Sequence, residues 1–227
     1  GVKTNYFFGF EAGNTGTATE AFGNIGLGTQ TGVALSTGGY NIMLGQGSGT
    51  AINTGYQNTL IGYTAGTALT NGTYNIALGY RALLASSAAT HTIAIGYDSM
   101  NNGDATGNSN IGIGIRTLQE IDAGGDNIAI GTDALADSHT GNRNIAIGYR
   151  AIYDGDTSGN DNIAIGTKAL EDVTTASGSI AIGHGAAKQH TTGNGNIAIG
   201  SGSMGAGIAA AGVDTDGQNT AVGRFSL

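Results

Sequence analysis

The chain of 227 residues contains 43 Gly and no Pro, Cys or Trp, and its 16 acidic and 8 basic residues give it a net charge of −8. So much Gly disfavours a helical protein, because each Gly costs about 1 kcal/mol relative to Ala inside a helix. The lack of Pro excludes collagen, the lack of Cys excludes disulfides and thiolate metal sites, and the acidic balance argues against a nucleic-acid partner. No apolar run reaches the length of a membrane span.

A five-residue unit of the form Asn-Ile-Ala-Ile-Gly recurs thirteen times along the chain. Consecutive copies are 17 to 19 residues apart, except for a last interval of 23 residues. The final glycine of each copy, termed the repeat Gly, is found at Gly9, Gly28, Gly45, Gly62, Gly79, Gly96, Gly114, Gly131, Gly148, Gly166, Gly183, Gly200 and Gly223. Self-similarity at a fixed period is the sequence signature of a repeat architecture.

The three residues before each repeat Gly are predicted to form a short strand. The first is Ile in ten copies, the third is always apolar, and the middle one is small in most copies. This period-two alternation is typical of a β-strand. We expect the face with the two large residues to be buried and the face with the small residue to be flat.

A unit of 17 residues cannot bury its own apolar face, so the copies are expected to stack. The sequence therefore predicts an all-β fold: one parallel β-roll or β-solenoid domain over 1–227, with about 13 coils and Gly- and Asn-rich turns. The first coil is placed around 5–9 and the last around 219–223, with an insertion at 205–218. Asn at the strand starts is expected to form an amide ladder that satisfies the backbone.

The first coil is crowded with aromatic residues: Tyr6, Phe7, Phe8 and Phe10. This crowding indicates a cap or a junction with a preceding domain, because an open end would expose strand edges.

Five consecutive copies carry a charged residue two positions after the repeat Gly, and the sign alternates: Arg81, Asp98, Arg116, Asp133 and Arg150. With coils about 5 Å apart, these side chains would form a ladder of opposite charges, each exposed pair contributing about 0.2–1 kcal/mol. We interpret the ladder as selecting the register between coils, with an ordinary solvated face as the alternative. Lys168 breaks the alternation.

The other polar and aromatic residues do not compose a recognisable site. Four tyrosines follow the repeat Gly directly: Tyr63, Tyr80, Tyr97 and Tyr149. We expect them to cover an edge of the roll, with glycan stacking as the alternative.

The acidic turns lack the spacing of a calcium loop. Four histidines lie in or beside turns without a recurring catalytic partner: His91, His139, His184 and His190. We therefore predict no catalytic residues, no metal and no cofactor.

Three stretches, Asn58–Tyr63, Asn75–Leu83 and Asn144–Ala151, carry the repeat together with the residues that follow it. This pattern resembles the left-handed parallel β-roll head repeats of trimeric autotransporter adhesins, and it is similar to the Asn-x-Ala-Ile-Gly repeats of phage tail-fibre proteins. The resemblance implies a homotrimer of single-chain rolls with a role in surface attachment. Independently, a lone slender roll has few core residues, so either the Ala face or its Ile neighbour is expected to line a trimer axis.

These observations predict a non-enzymatic structural and attachment module of a trimeric surface fibre, of the adhesin-head or phage tail-fibre type. Its expected location is extracellular, on a bacterial cell surface or a virion tail. Its expected partners are other copies of the chain and a cell-surface glycan or protein receptor, without nucleic acid and without membrane insertion by this segment. Ligand contacts are expected in the variable segments 101–109, 137–142 and 205–218.

Two alternatives stay open. The first is a carbohydrate-active fibre in which carboxylates on neighbouring coils cleave a surface polysaccharide. The second is a purely structural extracellular filament.

Overall fold

The computed structural model describes residues 4–13, 20–153, 157–189, 191–205 and 217–226. Within these ranges the regular secondary structure is all β: thirteen strands of three residues each, and every strand ends immediately before a repeat Gly. The predicted strands are therefore confirmed. The chain divides into two compact units, residues 1–113 and 114–227.

The first unit contains seven strands: β1 (Tyr6–Phe8), β2 (Ile25–Leu27), β3 (Ile42–Leu44), β4 (Thr59–Ile61), β5 (Ile76–Leu78), β6 (Ile93–Ile95) and β7 (Ile111–Ile113). Each strand pairs in parallel with the next one along the chain. Equivalent repeat positions face each other, as Ala77 faces Ala94. Stacking of equivalent positions at a period of about 17 residues is the geometry of a parallel β-solenoid.

The second unit contains six strands: β8 (Ile128–Ile130), β9 (Ile145–Ile147), β10 (Ile163–Ile165), β11 (Ile180–Ile182), β12 (Ile197–Ile199) and β13 (Thr220–Val222). They pair in the same parallel order and register. The long interval before the last repeat Gly leaves Ile197 opposite Thr220, so the extra residues are accommodated outside the strands. The predicted insertion at 205–218 lies largely outside the described residues.

The strands face the opposite way from the prediction. The middle residue of a strand points into the coil, and Ala77 and Ala146 are fully buried. The flanking isoleucines point outwards, and Ile76 and Ile130 are each 37% exposed. The expectation of a buried Ile face and a flat outer Ala face was wrong for the single chain. The coil is narrow, so the strand contributes a small residue to a core that is filled mainly from the opposite wall.

That opposite wall supplies the large core residues from two positions of the repeat. Four residues after the repeat Gly stand the buried side chains Leu83, Met100, Leu118, Leu135, Ile152 and Leu170. Seven residues after it stand a second buried set: Leu35, Ile52, Leu69, Ile121 and Val173. The sequence pattern did not predict the second set, because Ser or Gly occupies the same position in several other copies.

In the first copies the fourth position after the repeat Gly is itself a glycine, and the structure gives a packing reason. A Cβ added to Gly66 would lie 2.8 Å from Cδ1 of Leu60, the middle residue of β4. A Cβ on Gly49 would lie 2.8 Å from Sδ of Met43 in β3. A large residue in the middle of the strand therefore requires Gly on the facing wall, whereas the middle Ala77 is found in a copy that has Leu83 there.

The corners of a coil are set by residues with left-handed backbone angles. In the coil after Gly79 these are Arg81 (φ 54°), Leu83 (φ 56°) and His91 (φ 57°). This conformation costs L-residues about 1–2 kcal/mol each. All three backbone N–H groups donate to carbonyls of adjacent coils: Arg81 to Tyr63 at 2.9 Å, Leu83 to Ser99 at 2.9 Å and His91 to Thr73 at 3.0 Å. The stacking contacts therefore hold the strained corners in place.

Candidate functional site

The predicted asparagine ladder is confirmed, and it lies inside the coils. In the first unit it runs through Asn24, Asn41, Asn58 and Asn75, all of them buried. The Oδ1 of Asn58 accepts hydrogen bonds from the backbone N–H and the Nδ2 of Asn75, at 3.0 and 2.9 Å. The Nδ2 of Asn58 donates to Asn41 at 2.9 Å and to the Gly72 carbonyl at 2.8 Å. With its acceptor and both donors engaged, this amide is a structural element and offers nothing to a ligand.

The alternating charges contact one another within each unit. In the first unit the Arg81 Nε lies 3.3 Å from Asp98 Oδ1. In the second, Asp133 lies between two arginines, 2.7 Å from Arg116 Nε and 3.8 Å from Arg150 Nε. Asp133 is buried whereas the arginines are partly exposed, and Arg116 holds its carboxylate with two hydrogen bonds at 2.7 and 3.0 Å. Each of these charges is thereby used in contacts between neighbouring coils.

Two further sets of ion pairs in the second unit were not predicted. Arg143 holds Asp161 with two hydrogen bonds of 2.6 and 2.9 Å, and this pairing raises the pKa of the guanidinium and lowers the pKa of the carboxyl. Glu171 lies between Lys168 at 3.0 Å and Lys188 at 2.9 Å. Burial alone would raise the pKa of Glu171, but the hydrogen bonds from Lys188 and Lys168 outweigh it and lower this pKa. The pair of Arg143 and Asp161 could have been found from the sequence. The residue five positions before the repeat Gly is Asp126, Arg143 and Asp161 in three consecutive copies, so the sign of the charge alternates there.

His139 is the described histidine with the most acidic surroundings. Its Nδ1 lies 2.8 Å from Asp122 and its Nε2 lies 3.7 Å from Glu120. The two carboxylates therefore meet opposite edges of one imidazole ring and do not converge on a common point. Among the described residues no group of three or more His, Asp or Glu side chains is placed to hold a metal ion. His190 lies outside the described residues.

Three of the four tyrosines after the repeat Gly form a ladder of stacked rings. The ring centroids of Tyr63 and Tyr80 are 5.3 Å apart and those of Tyr80 and Tyr97 are 5.1 Å apart, with planes within 11° of parallel. Inside this ladder the ring faces lie against other rings. Tyr149 instead meets a cation, because Arg150 lies 5.2 Å from its ring centroid and 4.4 Å from that of Tyr153.

A second aromatic group, which the sequence did not predict, lies at the turn before the strands of the first unit. It consists of Phe22, Tyr40 and Tyr56 and is termed the aromatic corner. The Phe22 ring meets Tyr40 at 5.0 Å and Tyr56 at 6.4 Å, both edge to face. The rings occupy space that two glycines leave free: a Cβ on Gly23 would lie 2.8 Å from Tyr40, and one on Gly39 would lie 3.0 Å from Tyr56.

The aromatic residues of the first coil separate into an inner and an outer set. Phe7 points inwards against Gly13 and Gly26, neither of which has room for a Cβ beside the ring. Tyr6, Phe8 and Phe10 are exposed. Their role as a cap or junction stays a prediction.

The exposed strand residues form a repeated apolar feature on each unit. Most strands of both units point large residues outwards at their first and third positions. Stacking of the strands arranges these residues in two rows on each unit. The exposed members of these two rows include Ile25, Leu27, Ile42, Ile61, Ile76 and Ile113 in the first unit, and Ile130, Ile165, Ile182, Ile199 and Val222 in the second. We term these rows the aliphatic face. Contiguous exposed apolar patches beyond a few hundred Å² mark interaction surfaces.

The variable segments are more tied to the coils than free loops would be. In 101–109, alternate residues from Asn101 to Gly107 are buried, and Asp104 accepts the backbone N–H of Ser87 at 2.8 Å. In 137–142, Asn142 accepts a hydrogen bond from Gly125 at 2.8 Å and donates one to Asn160 at 2.8 Å. Residues 206–216 of the third segment lie outside the described residues. Ligand contacts in these segments stay a prediction.

No family model, curated protein or solved structure matches the chain. The described residues contain no helix long and apolar enough to cross a membrane.

Proposed function

We propose that this chain is a non-enzymatic attachment module of a trimeric surface fibre, of the adhesin-head or phage tail-fibre type, acting outside the cell. The observation that supports this proposal is the aliphatic face. Isoleucines at 37% exposure recur at the first or third strand position in both units, as at Ile76 and Ile113 in the first and at Ile130, Ile165 and Ile182 in the second. Their regular repetition is unlike the scattered single exposed apolar residues of ordinary monomer surfaces.

The partner that fits this face is another copy of the same chain. Rows of β-branched residues about 4.8 Å apart match the spacing of an identical row, so copies can interdigitate in register. The inward Ala residues are unavailable for such contacts because the coil itself buries them. Of the two faces that the sequence offered for a trimer axis, the Ile face is therefore the one proposed.

The test replaces isoleucines of the aliphatic face with a charged residue. We expect the native chain to be a trimer by light scattering at micromolar concentration. We expect Ile130→Asp combined with Ile165→Asp to yield a monomer that keeps its β-sheet circular dichroism, because neither side chain is in the core. As a control, Ala146→Asp places a charge in the core and should abolish the β signal itself. A native chain that is monomeric under these conditions contradicts the proposal.

Attachment and cleavage are separated by one further measurement. Incubation with surface polysaccharides followed by product analysis should yield binding without shortened chains. Release of products would favour the carbohydrate-active fibre, and the absence of both binding and products would favour the structural filament.

A further inference from the structure

We infer that the first unit binds neutral carbohydrate at the aromatic corner of Phe22, Tyr40 and Tyr56; this inference rests on the proposed attachment function. The first observation is one of charge. Residues 21–80 contain no Asp, Glu, Lys, Arg or His, although such residues are spread through the rest of the chain. The charged residue nearest to the corner in sequence is the exposed Glu20, two residues before Phe22, and no cation lies in the stretch. Such a surface gives no electrostatic advantage to an anionic ligand and little to a cationic one, so the partner with matching chemistry is uncharged.

The second observation is the placement of the rings. Tyr40 is 56% exposed, and its contact with Phe22 is edge to face at an interplanar angle of 81°. A Cβ on Gly23 would lie 2.8 Å from Cδ1 of Tyr40, so the ring packs against this glycine on one side. At this exposure more than half of the Tyr40 surface is accessible to a ligand. Open aromatic faces bind the apolar C–H faces of sugar rings, whereas the ring faces within the Tyr63, Tyr80 and Tyr97 ladder are taken up by one another.

The third observation is the polar setting of the corner. Thr54 and Gln57 are exposed in the same coil as Tyr56. Their hydroxyl and amide groups can donate and accept hydrogen bonds from sugar hydroxyls without any charge. The Tyr56 hydroxyl donates to the Thr37 carbonyl at 2.9 Å, which fixes that ring between the two coils. An exposed aromatic ring beside uncharged polar groups can therefore contact both the C–H face and the hydroxyl groups of a neutral sugar.

The experiment uses the full chain on an array of neutral and acidic glycans, followed by titration of the best-bound neutral glycan. We expect neutral glycans to bind and Tyr40→Asn to weaken that binding at least about tenfold. Asn is chosen because Tyr40 has a φ of 57°, a left-handed angle that Asn tolerates. His91→Asn is the matched control, since His91 occupies the same repeat position with the same φ but lies beyond the charge-free stretch. The control should bind like the native chain.

Two outcomes overturn the inference. One is an array on which neutral glycans fail to bind or only acidic glycans do. The other is neutral-glycan binding that Tyr40→Asn and His91→Asn leave equally strong. Light scattering of Tyr40→Asn distinguishes this failure from failure of the proposed function: a variant that becomes monomeric would show that the corner contacts another copy, which supports the fibre and overturns the carbohydrate site.

Discussion

Asn58 illustrates how strongly one side chain can be tied to its neighbours in this fold. Its Oδ1 accepts two hydrogen bonds from Asn75, and its Nδ2 donates to Asn41 Oδ1 and to the Gly72 carbonyl. Replacement by Ala would leave the Asn75 backbone N–H and the Gly72 carbonyl without a partner and would remove one of the two hydrogen bonds of Asn75 Nδ2, each loss costing about 1–3 kcal/mol. We expect Asn58→Ala to lower the free energy of unfolding by about 3 kcal/mol or more, measured by denaturant titration at fixed protein concentration.

The chain provides its own control for this prediction. Thr92 stands where the ladder would otherwise have Asn, and its backbone N–H still donates to Asn75 Oδ1 at 3.0 Å. The Thr92 hydroxyl also donates to the Thr90 carbonyl at 3.4 Å. Asn58→Thr keeps such a hydroxyl, whereas Ala has no polar side-chain atom, so Asn58→Thr should cost less than Asn58→Ala. Equal losses for the two variants would mean that the polar atoms of the ladder contribute little.

Glu171 predicts a dependence of stability on pH. Its pKa is lowered in the folded chain, so its stabilising contribution is present above the ordinary Glu value of about 4.3 and is lost as the pH falls through the folded pKa. The hydrogen bond to Glu171 raises the pKa of Lys188, so that contribution is present below about 10.4 and is lost as the pH rises through the raised value. We expect the stability difference between native chain and Glu171→Gln to be greatest between these limits and to shrink at both extremes. A difference that is independent of pH would show that Glu171 acts through packing alone.

At the scale of one coil, a large side chain in the middle of the strand is matched by a small residue on the facing wall, and the reverse also occurs. Leu60→Ala should destabilise the first unit by about 2–5 kcal/mol through the cavity it leaves, and Gly66→Leu should overpack it against Leu60. The double variant places Ala in the strand and Leu opposite, the pair that Ala77 and Leu83 form in the next copy. We therefore expect the double variant to be more stable than either single variant, which a double-mutant cycle measures. Additive losses would contradict this account.

The strand also marks the limit of what the sequence could predict. Period-two alternation before each repeat Gly located every strand correctly. The position of a strand follows from this pattern whichever of its faces is buried. It assigned the faces wrongly, since large apolar residues are buried in most single domains. The direction of the face depended on the width of the coil, and that width follows from corners such as Leu83 whose left-handed backbone the residue type does not indicate.

For the molecule as a whole, the repeat predicted the parallel stacking within each unit but not its surface chemistry. Arg81 and Asp98 could be paired from sequence because they share one repeat position in adjacent copies. The aromatic corner could not, because Phe22 and Tyr40 occupy different positions of the repeat and meet only where Gly23 leaves space. Periodic contacts are thus readable from sequence, whereas contacts between unlike positions require the folded coil.

The in-register pairing of coils has a consequence for how such a gene can lengthen. A duplication of one repeat of 17 residues would add a coil of about 4.8 Å that finds the same neighbours. Near Arg116, Asp133 and Arg150, however, a single added repeat would set like charges side by side, whereas two added repeats would preserve the alternation. In that stretch a duplication that preserves the ion pairs therefore adds two coils at a time.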